Sequence, residues 1–469
     1  MEEIVMRRAL LLVMLLSGCT VGPDYHPAPV SAQAGGALPY VPAVASNAAG
    51  QGDWWHLYSD AALDGLIAQA LAANTDLRVA EANFDAARAV LRQSQAARLP
   101  STTVSAGGTY GRSVTTTQIA DAAGKEASDR WFFQSGFDMA YEVDLFGRVK
   151  RSIEASRADA QAAAAARDGV KITILAETVR DYVGACALGR QIDVARQTLV
   201  IAERQRDIVR AQMAAGGASD FDVARQETVV SRSRAVIPTL SGDRRALLFA
   251  LAALLGRGPD GIPAVAAECA AIPQTAGPVP VGDGAHLLAR RPDIRQAERR
   301  MAAASARIGV AKADLLPRIT LAGSVSSIEP DLSALGSHGA TSFGLGPLIS
   351  WSFPNVAAAQ ARIRQARAVD QAAIATYDGT VLGALKEVEQ ALARYSAAVD
   401  RERELLAAQR QAGIAFDLAQ ARLNAGSISQ LDMLVAQQAL IDTQSAVAQA
   451  QATRADLLVS VFKALGGGW

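Results

Sequence analysis

Two long stretches of this chain repeat each other in order, and that repetition limits the folds open to it. NTDLRVAEANFDAARAVLRQSQAARLPSTTVSAGG aligns with RPDIRQAERRMAAASARIGVAKADLLPRITLAGSVS. At one offset of 217, Asp76 matches Asp293, Arg78 matches Arg295, Glu81 matches Glu298 and Pro100 matches Pro317. Further on, AAGGASDFDVARQ aligns with NAGSISQLDMLVAQQ at an offset of 210, pairing Gly216 with Gly426, Ser219 with Ser429 and Asp222 with Asp432. Both copies close alike, on Leu255-Gly256 and Leu465-Gly466. Chance likeness between alanine-rich helices does not put Pro, Gly and Asp in the same order. The chain is two copies of one unit.

Each unit reads as helix, strand, loop, strand and then very long helices. The first helix is expected from Leu63 to Arg98, with Pro100 ending it. WFFQSGFDMAYEVDLF follows a period of two: Phe133, Phe137, Met139, Tyr141, Val143 and Leu145 share one face, while Gln134, Asp138, Glu142 and Asp144 share the other. SFGLGPLISWSF does the same, with Phe343, Leu345, Ile349, Trp351 and Phe353 opposite Ser342, Gly344, Gly346, Ser350 and Ser352. Apolar-out, polar-in segments with aromatic residues near their ends fit outer-membrane barrel strands. A half-buried soluble sheet alternates in the same way.

The number of strands separates these readings. Four strands cannot close a barrel around water, and an open edge in lipid leaves backbone groups unpaired at several kcal/mol each. A membrane sheet of four strands must therefore be one share of a common barrel. Two chains give eight strands around a filled interior; three give twelve around a pore.

The helices are unusually long. From Gly147 to Ala215 there is no proline, and about 65 residues of continuous helix reach about 100 Å. In the last helix Leu431, Leu434, Gln438, Ile441, Ser445, Ala448, Ala452, Ala455, Val459 and Phe462 follow the three-four spacing of a heptad seam. A helical bundle with one long hairpin would use this spacing too, and only the strands favour a tube.

The N-terminus carries Arg7 and Arg8, a short apolar run from Ala9 to Leu16, and then Leu16-Ser17-Gly18-Cys19. That run is too short to span a bilayer, and the layout is that of a secretory signal. The acidic Met1-Glu2-Glu3 start fits poorly, so Met6 is an alternative start. The four residues ending at Cys19 look like a bacterial lipobox, so Cys19 is expected to carry covalent lipid, palmitate and diacylglycerol. Thr20 then points to the outer membrane. The expected organisation is a signal peptide over 1–18, an acylated extended segment over 19–62, and repeat one over 63–256 with strands at about 101–114 and 131–145. A linker over 257–285 leads to repeat two over 286–469, with strands at about 318–329 and 341–353.

Composition excludes more than it selects. Lys plus Arg equals Asp plus Glu, at 46 each, so no overall field favours nucleic acid. His26, His56, His286 and His338 have no ligand spacing, and no nucleotide, zinc or hydrolase motif occurs. Nothing argues for an enzyme, a metal site or a further cofactor. Cys186 sits in a helical stretch and Cys269 in a proline-flanked loop, so two unpaired thiols are expected rather than a disulfide.

DWWHLYSDAALDGLI, YEVDLFGR, RRPDIRQAE and LNAGSISQLDMLVAQ, taken in order with the lipobox, resemble the outer-membrane factors. These are the TolC-like outer-membrane efflux proteins, and the likeness is to their lipoprotein OprM/NodT branch. The resemblance covers nearly all of the mature chain. It implies a homotrimer in which each chain lends four strands to one 12-stranded outer-membrane β-barrel, continued by a periplasmic α-helical coiled-coil tunnel. It implies a passive exit duct of a tripartite pump, served by a periplasmic adaptor and a proton-driven inner-membrane transporter.

The resemblance places the gate and the adaptor contact at the two bends. Gly216, Gly217, Ser219, Gly426, Ser427 and Ser429 fall there, with glycines suited to tight turns and serines to helix N-caps. Asp432 matches a family acid that lines the constriction, and Asp222 is its counterpart on the first bend. A ring of three Asp432 carboxylates would bind cations. First-turn stabilisation of a helix is the plainer role for both. Leu423 and Ile428 stand where the best-known member has a Tyr and an Arg latch, so an apolar collar of Leu423, Ile428, Leu431 and Leu434 is expected instead. Val435 replaces a second family acid. A duct for small toxic compounds is the leading expectation; type I protein secretion, metal-ion efflux and a non-conducting envelope scaffold remain open.

Overall fold

The computed structural model describes residues 20–26, 45–46, 54–112, 114–273, 279–280, 290–351 and 356–467. The expected signal peptide and Cys19 lie outside these residues, as do 286–289 and 352–353. In chain order the regular elements are β1 (Ala45–Ser46), α1 (Ala61–Ala73), α2 (Thr75–Ala96), β2 (Ser101–Gly111), α3 (Val114–Ala122), β3 (Arg130–Val143), α4 (Arg148–Ala214) and α5 (Asp220–Leu254). They continue with α6 (Ala264–Ala267), β4 (Val279–Pro280), α7 (Pro292–Ala313), β5 (Arg318–Glu329), β6 (Thr341–Ser350), α8 (Val356–Asn424) and α9 (Gln430–Ala464). Two compact units form: one from Met1–Pro27, Asp85–Ala162 and Ala297–Thr376, the other from Ala28–Phe84, Ala163–Gln296 and Tyr377–Trp469.

The first unit holds a four-stranded antiparallel sheet in the order β2-β3-β5-β6. Its registers sort the side chains cleanly. Val104, Phe137, Val325 and Phe343 form one row across all four strands. The next row, on the opposite face, is Thr103, Asp138, Ser324 and Gly344. Phe343 and Val104 are 86% and 80% exposed in the protomer, so no described residue covers the apolar face. Lipid is the solvent that such a face suits. No helix among the described residues is long and apolar enough to cross a membrane.

Where strand gives way to helix, Asp144 accepts the N–H groups of Val149 at 3.0 Å and Lys150 at 2.8 Å. It thereby satisfies donors that the start of α4 leaves open. This capping ends β3 at Val143, short of the expected 145. β2 stops at Gly111 rather than 114, because α3 follows within the connecting segment. β6 closes at Ser350, and Trp351 Nε1–H turns to donate to the Leu315 carbonyl at 3.2 Å. The β2–β3 connection has 18 residues and the β5–β6 connection has 11. That difference accounts for the change of repeat offset from 217 to 210.

The N-terminal residues 20–26 dock on the same unit. Val21 N–H donates to the Phe146 carbonyl at 3.2 Å, Arg151 to Asp24 at 2.7 Å and Tyr25 to Glu298 at 3.1 Å. Gly22 takes φ +116°, and a Cβ there would meet the Gly309 Cα at 2.5 Å.

The second unit packs long helices through small side chains around one aromatic cluster. Trp54, Tyr58, Leu63, Leu66, Val179, Leu251, Leu392 and Phe462 are buried in it. α4 and α8 run for 67 and 69 residues, and α5 and α9 for 35 each. The buried Arg291 guanidinium donates to the Ala464 carbonyl at 2.6 Å and to Glu387 and Asp293 at 2.7 Å each.

Several sequence expectations change here. The single helix expected from Leu63 to Arg98 is two, because Asn74 leaves the helical region and its side chain accepts from Asp76 N–H at 2.9 Å and Leu77 N–H at 3.1 Å. The segment over 19–62 is not extended throughout: Trp54–Tyr58 forms a 3-10 turn that buries Trp54, Trp55 and Tyr58. Cys186 and Cys269 form a disulfide. The loop reaches α4 because Arg244 donates to both the Ala185 and Cys269 carbonyls, and because Gly189 lacks the Cβ that would strike the Cys269 carbonyl. The heptad seam holds at Ala448, Ala455, Val459 and Phe462, but nearer the bend the buried residues are Met433, Gln437, Leu440 and Val447. A helix of 3.6 residues per turn drifts off a 3.5-residue stripe, and ten turns are enough to change faces.

Candidate functional site

Both helical bends are built by the same chemistry. At the first, Gly216 takes φ +77°, the left-handed conformation glycine adopts without penalty. Gly217 N–H returns to the Gln212 carbonyl at 2.8 Å and Gly216 N–H to Met213 at 3.0 Å. At the second, Gly426 takes φ +70°, Ser427 N–H returns to Arg422 at 2.9 Å and Gly426 N–H to Leu423 at 2.9 Å. Each helix thus ends in a Schellman-type cap that satisfies its last carbonyls. Of the two glycines at the first bend, the positive φ belongs to Gly216, and Gly217 only supplies a donor.

The next helix starts at once. Ser219 caps α5 and Ser429 caps α9, each in a reciprocal capping box. Asp222 Oδ2 accepts the Ser219 N–H at 3.0 Å and hydroxyl at 2.6 Å, and Asp432 Oδ2 accepts the same pair from Ser429 at 3.0 and 2.6 Å. These serine donors hold both carboxyls below the usual carboxylate range, so both are charged at neutral pH. Arg225 adds to the effect at Asp222, while at Asp432 the Ser429 donors act alone. The carboxylates therefore do two things at once: they cap helices and they present negative charge at exposed turns.

Around the caps, Leu423, Ile428 and Leu434 are half-buried, while Leu431 and Val435 are 50% and 63% exposed. Ser427 is exposed, and its hydroxyl donates to the Arg422 carbonyl at 3.0 Å. Sequence reading missed the contacts that hold the hairpins together. Arg210 pairs with Glu227 and Arg234 with Glu203, and Gln205 donates to Gln420 at 2.8 Å. Opposite charges at matched distances from the first bend were the available signal for the two ion pairs. Cys19, the expected lipidation site, lies outside the described residues. Its neighbour Thr20 sits where a Cβ on Gly147 would strike it.

The architecture has known counterparts. The family model described as outer membrane efflux protein matches residues 66–257 and 285–467, one segment in each repeat. Outer membrane protein OprJ of Pseudomonas aeruginosa is 31% identical over 465 residues, covering 98% of this chain and 95% of that protein. The toluene efflux pump outer membrane protein TtgC of Pseudomonas putida is 30% identical over 462 residues, covering 97% and 94%. The solved structure of the outer-membrane channel OprN superposes with a TM-score of 0.84 at 32% identity, covering 96% of this chain and all of that one. The four-stranded sheet is accordingly one share of a trimeric 12-stranded barrel, and the long helices belong to the periplasmic tunnel. With the family model matched in both repeats and relatives aligned almost from end to end, this outer-membrane protein belongs to the outer membrane efflux protein family.

Proposed function

We propose that this protein is the exit duct of a tripartite efflux pump, passing small toxic compounds from the periplasm to the exterior. The observation that carries the reading is a pairing of features in one chain. A sheet with one apolar and one small, polar face provides a wall between lipid and water, and two capped helical hairpins provide a tip for partners. Relatives named for the efflux of toluene and antibiotics support small, largely apolar cargo. Transport through such a duct needs no catalytic residue: the protein works by conduction, without enzymatic activity.

Cys19 carries the lipid, palmitate and diacylglycerol, that fixes the mature N-terminus at the membrane. The docking of residues 20–26 beside the start of α4 supports an anchor held close to the barrel's periplasmic rim. At the tip, Leu423, Ile428 and Leu431 form an apolar collar, and three Asp432 carboxylates line the constriction with Asp222 on the neighbouring bend. Gly216, Gly217, Ser219, Gly426, Ser427 and Ser429 meet the periplasmic adaptor, behind which stands a proton-driven inner-membrane transporter.

A photo-reactive residue at Ser427, illuminated in living cells, tests this reading. Capture of a periplasmic adaptor together with a proton-driven transporter is the expected result. Capture with an ATP-driven exporter would move the function to secretion, and a folded trimer that captures no periplasmic protein would remove the pump.

A further inference from the structure

On the sheet's polar face one charged side chain stands apart from the rest. Arg130 lies over the Phe132 ring at the end of β3, Glu142 is paired with Arg148 at 2.8 Å, and Arg318 with Asp314 at 2.7 Å. Asp138 makes no ion pair among the described residues and is exposed. Its own row is Thr103, Ser324 and Gly344. The row on one side is Ser105, Gly136, Ser326 and Ser342; on the other it is Ser101, Ala140, Ala322 and Gly346. Every neighbour in this band is Gly, Ala, Ser or Thr. A Cβ added to Gly136 would approach Asp138 Oδ2 at 4.0 Å, so the carboxylate leans over a residue with no side chain.

We propose that Asp138 sets the charge preference of the barrel lumen, as a ring of three carboxylates at mid-barrel that favours cations and disfavours anions. The inference rests on the duct reading above. With twelve strands about 4.8 Å apart and tilted about 40°, the barrel backbone has a radius of about 12 Å. The carboxylates then stand about 9 Å from the axis, close to the Debye length of about 8 Å at physiological ionic strength. Their fields overlap across the lumen at low salt, where the screening length reaches about 30 Å, and vanish at 1 M, where it falls to about 3 Å. The small neighbours neither block the lumen nor neutralise the ring, so the charge acts on whatever passes.

The test places a thiol beside the ring and reads the local potential. Ser324→Cys pairs directly across from Asp138, and Val325→Cys points to the lipid face. SDS-resistant trimers in liposomes are treated from outside with two thiol reagents of equal size, one cationic and one anionic, against the wild-type background. At 10 mM salt Ser324→Cys should react about tenfold faster with the cation, and Asp138→Asn should cut that ratio about fivefold. The ratio should shrink towards unity at 1 M salt. A ratio unchanged by Asp138→Asn would overturn the role of Asp138 alone. Failure of Ser324→Cys to react, or ready reaction of Val325→Cys, would overturn the orientation of the barrel wall and the inference with it. Asp138→Asn without any added thiol gives a second readout: under a salt gradient its reversal potential should move away from the cation side, and an unmoved potential would also count against the ring.

Discussion

Trp54 lies almost flat against Phe462, with ring centroids 4.5 Å apart and planes 18° from parallel. The contact fastens the segment before the first repeat to the last helix of the second. Both rings are essentially buried, at 2% and 0% exposure. Trp54→Ala should therefore cost about 3–5 kcal/mol, seen as a loss in helical melting followed by circular dichroism. Trp54→Phe should cost much less. It keeps the stack and removes an indole N–H that is buried with no acceptor among the described residues.

The Cys186–Cys269 bridge closes a loop with a sequence separation of 83. Cys186→Ser should lower stability by about 2–4 kcal/mol. Thiol titration of the denatured mature protein should find no free thiol before reduction and two after it, and a free thiol at Cys269 without reduction would refute the bridge.

The two capping boxes predict matched effects at the bends. Ser219→Ala or Ser429→Ala should speed amide exchange about fivefold in the first turn of α5 or α9 respectively, leaving the other bend untouched. Asp432→Ala should also weaken block of an open trimer by divalent cations, which Ser429→Ala should not do. Equal block in all three proteins would take Asp432 out of the lumen.

Asp181 gives a pH dependence. Burial, with Glu177 one turn away and only Arg180 opposing, pushes its carboxyl up to about 7. The folded chain then holds a proton that the unfolded chain releases between its ordinary 3.8 and about 7, so stability falls as pH rises through that window. Asp181→Asn should raise the melting temperature by about 2 °C at pH 8 and by less than half of that at pH 5, where the window is only partly crossed. A gain of the same size at both pH values would mean that the charge is not the cause.

The elements that rest on a repeating pattern were legible in the sequence. Strands with a period of two, such as Phe133 to Val143, stand out in an alanine-rich helical chain because little else alternates. The serine N-caps were legible as well, while the reciprocal bond from Asp222 or Asp432 back to its serine came only with the structure. What escaped depends on a single side chain overriding a regional tendency. Asn74 interrupts a run in which nearly every residue favours helix, and it does so by capping the helix after it. The disulfide depends on where a loop lands, which Arg244, distant in sequence from both cysteines, and Gly189, three residues after Cys186, decide together. Asp138 was visible as one polar residue among others, and its isolation emerged only when four strands were set in register.

The seven-residue difference between the two strand connections has a consequence for how such a chain can diverge. The loops joining paired strands differ by seven residues, while α5 and α9 have identical lengths, α2 and α7 do as well, and α4 and α8 differ by only two. An unmatched extra turn in one long helix would slide its bend about 5.4 Å past the other. Descendants can therefore redecorate the outward loops one at a time, but can resize the tunnel only by twin insertions of equal length, one in each half of the gene.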